Sequence, residues 1–402
     1  MLALIICSFL TSLGVTWLLV RYADRHAHFS GDSDKAQPQK FHTKVVPRVG
    51  GIGIALGMVL GCAAAAWAGE AGWRFFAALL GCSMVAFGAG LIEDFTKSVT
   101  PAQRLIATIV AAALAAWLAD AMIVRTGIPG LETLMLITGF PLLLTVVAVA
   151  GVAHSVNIID GFNGLASMCV AIMLAAIAFI AYQVDDTAIL YCALAGLGSV
   201  LGFFLWNFPK GHIFLGDGGA YLLGFWVAEL CILLVYRHPT VSTMLPLMVC
   251  AYPMFETLFT MYRRRVVRGL PMGLPDATHL HSLIYRRLMR WAINKPNPAV
   301  QLRRNSMTSP YLWALCLVSV LPTLIWWNNS RMLGLSLLVF CLVYVLLYRA
   351  IVQFRTPRLL VQAARPAQSI QRQPSTPPVL EADAAHSYMA SEFGRLSKSD
   401  GY

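Results

Sequence analysis

The stretch "GLASMCVAIMLAAIAFIAY", residues 164–182, contains 19 residues and no charged side chain. A helix of this length covers about 30 Å at about 1.5 Å per residue, which matches the hydrocarbon core of a bilayer. Apolar runs of similar length recur along the chain, and each predicts a membrane-spanning helix. The predicted spans are residues 2–20, 50–69, 73–92, 104–124, 134–153, 164–182, 188–206, 214–236, 241–261, 310–327 and 332–351. The predicted fold class is therefore all-α, a polytopic transmembrane helical bundle of about 11 helices.

Composition agrees with a membrane protein. Of the 402 residues, 58% are hydrophobic and 12% are charged, and the mean hydropathy is +0.68. A soluble protein carries about 25% charged residues. A soluble α/β enzyme would show short buried strands between polar turns, which this pattern excludes. The nine cysteines fall mostly inside apolar runs, so they predict small buried side chains and no disulfide framework.

The first apolar run, Met1–Val20, resembles a secretory signal peptide only in part. It has no basic residue before its apolar core and no small-residue cleavage site before Arg21. We interpret it as a retained first helix.

Basic residues are distributed unevenly between the two sides of the predicted bundle. Most of the 30 Lys and Arg residues fall in the segments 21–49, 262–308 and the tail from 349. Cytoplasmic segments of membrane proteins carry this excess. The pattern predicts a periplasmic N-terminus and a cytoplasmic C-terminus in the cell inner membrane. The net charge of +11 mainly reflects this bias and suits anionic substrates, and nucleic-acid binding explains it poorly.

The polar clusters fall on the predicted cytoplasmic side. They are "KFHTKVVPRVGG" (40–51), "LIEDFTK" (91–97), "NIIDGFNG" (157–164), "NFPKGHIFLGDGG" (207–219) and "PDATHLH" (275–281). A transporter is expected to place its polar groups near the middle of the membrane. A rim of polar groups at one face instead favours chemistry between a soluble cytoplasmic compound and a molecule in the membrane. A transporter or flippase for a lipid-linked sugar is the alternative.

Acidic residues in this rim predict a cation site. Glu93, Asp94, Asp160, Asp217 and Asp276 would repel one another without a cation, and oxygen ligands suit Mg²⁺ or Mn²⁺. Basic side chains lie beside them in sequence: Lys40, Lys44, Arg48, Lys97 and Arg104. A diphosphate–metal site needs this mixture of acidic and basic groups.

Asp217 carries the sharpest signal, because Gly216, Gly218 and Gly219 flank it at the start of the eighth span. Glycines let the backbone approach a phosphate or a metal at a helix N-terminus. The plainer interpretation is an Asp N-cap. Ordinary turns, a solvated helix end and a locally bonded histidine pair would likewise explain the other clusters one at a time. Their occurrence on one face favours a shared site.

Together these motifs resemble the polyprenyl-phosphate N-acetylhexosamine-1-phosphate transferase family (WecA/MraY-like, glycosyltransferase family 4). The resemblance covers residues from about 40 to 282, with the motifs in the family's order. The number of spans favours the WecA-like branch. Three positions depart from the family pattern, where Glu93 replaces an Asp, Asn163 replaces the second Asp of the third motif, and Ser282 replaces the last histidine.

The resemblance implies an Mg²⁺-dependent enzyme. A membrane-bound polyprenyl phosphate attacks a UDP-amino sugar, UMP leaves, and a polyprenyl-diphospho-sugar stays in the membrane for cell-surface glycan assembly. It implies Asp94, Glu93 and Asp160 as catalytic residues and Asp217 as the metal ligand. The implied substrate-binding residues are Arg48, Lys97, Asn157, Asn163, Asn207, Phe214, His279 and His281. A homodimer is compatible with this reading.

The predicted domain boundary follows the last span. Residues 1–353 form the predicted transmembrane transferase domain with its cytoplasmic active-site loops. The segment 354–402 is rich in Gln, Pro, Ser and Ala, which predicts a disordered cytoplasmic tail.

Overall fold

We describe the protein from a computed structural model, for residues 1–23, 46–69, 72–267, 269, 278–289 and 298–353. The predicted tail, together with Lys40, Lys44 and Asp276, lies outside these residues. The helices are α1 Leu2–Arg21, α2 Gly50–Trp67, α3 Trp73–Thr96, α4 Pro101–Leu118, α5 Leu131–Leu134, α6 Phe140–Ile159, α7 Leu165–Gln183, α8 Thr187–Asn207, α9 Gly216–Arg237, α10 Leu245–Val249, α11 Ala251–Tyr262, α12 Leu280–Leu283, α13 Pro298–Trp326 and α14 Ser330–Val352. Two π-helical segments, Arg263–Val267 and Ile284–Met289, follow α11 and α12.

The all-helical fold class is confirmed, and the described residues contain no β-strand. Ten of these helices are long and apolar enough to cross a membrane. The predicted ninth span, 241–261, instead forms the two short helices α10 and α11, which meet at Cys250. Pro253 explains the break, because it has no N–H to donate to the carbonyl of Val249 and its ring crowds that carbonyl. The membrane orientation stays a prediction.

Several helices extend further than their apolar runs, and this changes where the polar motifs lie. Helix α3 continues to Thr96, so Glu93 and Asp94 belong to its last turn. Helix α6 continues to Ile159, so Asn157 is helical and Asp160 follows directly, although the sequence pattern places both in a loop. The motif residues are consequently fixed on helix ends.

Helix α9 forms the centre of the bundle. Every residue from Gly216 to Val235 is buried, and α9 packs mainly against α3, α6 and α2. A helix that is apolar on all sides is expected in such a position. Its first residues therefore lie where several other helix ends meet.

Close packing of α1, α2 and α8 supports this centre. Gly53, Gly57 and Gly61 of α2 form a face of small residues, and α1 and α8 lie directly against it. A Cβ on Gly57 would lie 2.6 Å from Ser199 Oγ and 2.7 Å from the Ser8 carbonyl oxygen. Any larger residue there would force these helices apart.

Candidate active site

The N-terminus of α9 is capped by a carboxylate from another helix. Asp94 of α3 accepts the backbone N–H of Asp217 at Oδ1 and that of Gly218 at Oδ2, both at 2.9 Å. The residue before α9, Leu215, supplies no side-chain cap. A carboxylate at this position satisfies free N–H groups and interacts favourably with the helix dipole. Asp94 is 1% exposed, so its bonds hold the Asp217 backbone in a fixed place.

Glycine makes this approach of α3 to α9 sterically feasible. A Cβ on Gly90 would lie 2.6 Å from the carbonyl carbon of Asp217 and from the backbone nitrogen of Gly218. Backbone contact at this distance leaves no room for a side chain. The glycine one turn before Asp94 thus determines how closely the two helices pack.

Arg48 reaches the site through a short stretch of backbone pairing. Phe214 donates its N–H to the Pro47 carbonyl at 2.9 Å, and the N–H of Gly50 returns to the Phe214 carbonyl at 3.0 Å. Gly51 likewise donates to the Leu215 carbonyl at 3.0 Å. The segment before α2 is therefore joined to the segment before α9. Phe214 is half-buried and contributes its backbone to this pairing.

The Asp217 carboxylate is surrounded by donors. Its Oδ1 accepts from Asn157 Nδ2 at 3.1 Å and lies 3.5 Å from Arg48 Nη2, while its Oδ2 contacts Arg104 Nη1. Arg48 Nε also lies 4.0 Å from Asp94 Oδ1. Two arginines and two aspartates thus share one pocket at a single end of the bundle. Such a pocket can bind an anion and a cation side by side.

The sequence analysis noted Arg104 but did not include it among the site residues. Arg104 projects from the first turn of α4 and lies 5.9 Å from the ring centroid of Tyr221, whose hydroxyl is 3.2 Å from His154 Nδ1. His154 and Asn157 are separated by three positions, so they share a face of α6. The sequence analysis could have assigned His154 to the site from this spacing.

Glu93 and Lys97 shape the connection after α3. Glu93 Oε2 accepts the N–H of Val99 at 2.7 Å, and Lys97 Nζ donates to the Asp94 carbonyl at 2.9 Å. Lys97 has a positive φ of 55° and ends the helix. Both side chains therefore brace the turn that leads into α4 and Arg104. Lys97 is exposed at the rim of the site.

Asp160 is a further carboxylate at a helix end. It follows the last turn of α6 and is half-buried. Burial of the carboxyl raises its pKa from the usual value to about 7, and Arg48 opposes the rise. A carboxyl with a pKa near neutrality can exchange a proton readily at physiological pH.

Two predicted substrate-binding residues form hydrogen bonds with the backbone of other segments. Asn207, 5% exposed, accepts the N–H of Gly164 at 2.6 Å and donates to the Ile213 carbonyl at 2.8 Å. Asn163, 2% exposed, donates to the Pro209 carbonyl at 3.0 Å. These contacts tie the third motif to the segment that leads into α9. The geometry thus gives both asparagines a positioning role around the site.

The histidine motif approaches Asp160 from another side. His279 and His281 stack with ring centroids 5.0 Å apart and an interplanar angle of 9°. His281 meets Phe162 edge-on at 5.6 Å. Glu256 of α11, which the sequence analysis missed, lies 3.2 Å from His279 Nδ1. A charged residue inside an apolar run was the available signal.

The donor set fits a cation that is shared with substrate. Among the described ranges no three His, Cys, Asp or Glu side chains are grouped to form a protein-only metal cage. Mg²⁺ commonly uses one or two carboxylates and completes its shell with water and substrate phosphates. The Asp217 carboxylate supplies oxygen ligands of this kind, and Asn157 Nδ2 donates to it at 3.1 Å.

Comparison with known proteins places this site in a family. The profile of Glycosyl transferase family 4 matches residues 76–235, which contain Asp94, Asp160 and Asp217. A probable undecaprenyl-phosphate N-acetylglucosaminyl 1-phosphate transferase of Bacillus subtilis is 30% identical over 298 residues, which are 72% of this chain and 78% of that protein. The chain belongs to glycosyl transferase family 4.

Other members of the family give similar matches. The undecaprenyl-phosphate alpha-N-acetylglucosaminyl 1-phosphate transferase of Thermotoga maritima is 26% identical over 64% of this chain and 74% of that protein. The enzyme of the same name from Escherichia coli K12 is 27% identical over 67% of this chain and 74% of its own length. The family membership and the apolar helices together identify a multi-pass membrane protein.

Proposed function

We propose that this family member transfers an N-acetylhexosamine-1-phosphate from a UDP-sugar to undecaprenyl phosphate, which yields a polyprenyl-diphospho-sugar and UMP. The observation that carries the proposal is the pocket around Asp217, where Arg48 and Arg104 approach a carboxylate at the N-terminus of the central helix. Both reactants carry phosphates, so neutralisation of charge is the main catalytic requirement. The names of the relatives support the same reaction.

In this proposal the chain's own residues divide the work. Arg48, Arg104 and Lys97 hold the phosphates of donor and acceptor, and Asp94 keeps the Asp217 backbone in place. Asp160, with its pKa near 7, accepts a proton from the acceptor phosphate or orients it. Glu93 braces the turn before Arg104.

Asp217, with Asn157 beside it, would hold Mg²⁺ or Mn²⁺ together with substrate phosphate. The cation would stabilise negative charge on the transferred phosphoryl group. The two arginines that contact Asp217 lie where they can turn to substrate phosphate once a cation is bound.

The membrane setting in the proposal follows from the chemistry of the substrates. A UDP-sugar is a cytoplasmic compound, so the end of the bundle with Asp217 would lie on the cytoplasmic side of the inner membrane. The product would begin a cell-surface polysaccharide such as O-antigen, lipopolysaccharide or cell-wall glycan.

The test uses purified protein in detergent with undecaprenyl phosphate, Mg²⁺ and a panel of UDP-N-acetylhexosamines, beginning with UDP-GlcNAc. We expect UMP release and formation of a sugar-labelled lipid, both dependent on the lipid acceptor. Asp217→Asn should abolish turnover while keeping the fold, because it preserves shape and removes charge. The matched control is Asp185→Asn, an exposed aspartate at the far end of α7 with a φ of 58° that asparagine tolerates.

Two results would overturn the proposal. One is transport of a lipid-linked sugar across the vesicle membrane without UMP release, which would favour the alternative function as a transporter or flippase. The other is wild-type turnover in Asp217→Asn, which would place the essential charge elsewhere.

A further inference from the structure

Glu256 is an entirely buried residue, and both oxygens of its carboxylate accept hydrogen bonds. It is 0% exposed and belongs to α11, just after the break at Cys250. Its Oε1 accepts the N–H of Leu280 at 2.8 Å and lies 3.2 Å from His279 Nδ1, and its Oε2 accepts the Tyr344 hydroxyl at 2.6 Å. A carboxylate that accepts at both oxygens is well stabilised despite burial.

These contacts determine the orientation of His279. Because the backbone N–H of Leu280 can only donate, Oε1 acts as an acceptor, and His279 presents Nδ1–H towards it. The Thr260 hydroxyl lies 3.2 Å from the same nitrogen. A fixed proton on Nδ1 leaves the opposite ring nitrogen, Nε2, as the group that faces away from Glu256.

The stacked pair carries this orientation to the third motif. His281 lies parallel to His279, and a Cβ on Gly161 would be 3.3 Å from His281 Nε2. Gly161 directly follows Asp160, so the pair ends beside that carboxylate. One buried negative charge behind two stacked imidazoles stabilises a positive charge on them.

The last helix completes the support. Tyr344 and Tyr348 of α14 reach Glu256 and the carbonyl of Thr278, respectively, and Arg263 donates to the same Thr278 carbonyl at 2.6 Å. These contacts fix both ends of the short segment that carries His279. Residues 256, 279 and 281 all lie outside the stretch that the family profile matches, residues 76–235.

We propose that Glu256 is the positioning residue of the His279–His281 pair, and that it sets the pair's ring orientation and positive charge for stabilising the substrate diphosphate in the transition state beside Asp160. This inference rests on the proposed function. Glu256 acts only through the histidines, so its removal and theirs should not have independent effects.

A double-mutant cycle tests this coupling. Glu256→Gln and His279→Ala are each expected to lower kcat by about tenfold or more, with a change in KM for UDP-GlcNAc of less than about threefold. The double variant should be no slower than the slower single variant, because the second change removes a contact that is already lost. Glu229→Gln is the matched control, since Glu229 is also 0% exposed but lies in the middle of α9, and its turnover should equal the wild type.

Effects that multiply in the double variant would overturn the proposal, and so would wild-type kcat in folded Glu256→Gln. Should Glu256→Gln fail to fold, Glu256→Asp replaces it in the same cycle, because it keeps the charge and withdraws it by one methylene. A partial loss of kcat that persists undiminished in the His279→Ala background would then count against the proposal. Failure of the proposed function is distinguishable, since the wild type would then show no lipid-dependent UMP release with any UDP-sugar.

Discussion

Asp94 and Asp217 are joined through main chain as well as charge: the Asp94 carboxylate accepts the Asp217 N–H at 2.9 Å and shares Arg48 with the Asp217 carboxylate. One aspartate therefore sets the position of the other. A change at Asp94 moves Asp217 even when Asp217 itself is intact.

Asp94→Asn is expected to lose turnover by at least about a hundredfold, because small displacements of reacting groups are costly. Asparagine offers one acceptor oxygen, so its NH₂ group would face one of the two α9 N–H groups. A buried donor without its acceptor costs about 1–3 kcal/mol. Steady-state kinetics and thermal unfolding in detergent would measure both effects. Near-normal turnover with a lowered unfolding temperature would reduce Asp94 to a purely structural cap.

Glu93 should tolerate change far better than Asp94. Glu93 accepts the Val99 N–H, and Gln can accept the same hydrogen bond. We expect Glu93→Gln and Glu93→Asp to keep measurable turnover at saturating UDP-sugar. If Glu93→Gln is as inactive as Asp94→Asn, the two acidic residues act as one unit.

Asn207→Asp separates a positioning role from substrate binding. The new carboxylate would accept the Gly164 N–H but repel the Ile213 carbonyl. We expect a lower unfolding temperature and an unchanged KM for UDP-sugar in the folded fraction. A raised KM at unchanged stability would instead support the predicted contact with substrate.

The raised pKa of Asp160 predicts that the stability of the fold depends on pH. Its pKa in the folded protein, about 7, lies above the ordinary value near 4, so the folded state binds the proton more tightly than the unfolded state. The contribution of this group to stability is complete below about pH 4 and is lost as pH rises through about 7. Asp160→Asn removes the titration. We therefore expect its unfolding temperature to rise relative to wild type between about pH 5 and 8. A difference that is constant across this range would contradict the shifted pKa.

Membrane orientation can be tested with reporter fusions. A reporter after Gly211 or within residues 270–300 should report a cytoplasmic position, and one at Asp185 a periplasmic position. The opposite pattern would place the Asp217 pocket on the side without UDP-sugars.

The sequence was sufficient to predict the helical fold class. It also predicted which polar motifs lie at the same end of the bundle. Length and polarity of the apolar runs decide whether a segment crosses a bilayer, and a polar motif must lie at the end of such a run. Asp94, Asp160 and Asp217 were assigned to one face of the bundle in this way. The break at Cys250 was not predicted, because the span was assigned from hydrophobicity alone and a single proline, Pro253, changes that little.

Contacts between distant segments were beyond the sequence. Arg104 and Asp217 are separated by 113 positions, and only the packing of α4 and α9 brings them together. The same holds for Tyr344 and Glu256, which are 88 positions apart. Asn163 and Asn207 have the side chains of substrate-binding residues, yet both polar atoms of Asn207 and the Nδ2 of Asn163 form hydrogen bonds with backbone.

The enclosure of α9 has a consequence for biosynthesis. The helices that surround it most closely, α2, α3 and α6, all precede it in the chain. During translation they leave the ribosome first, so their contacts with α9 can form only after residues 216–237 emerge. A nascent chain arrested before Gly216 would present the faces of Gly51 and Gly90 to lipid, where membrane quality control can recognise an unfinished bundle.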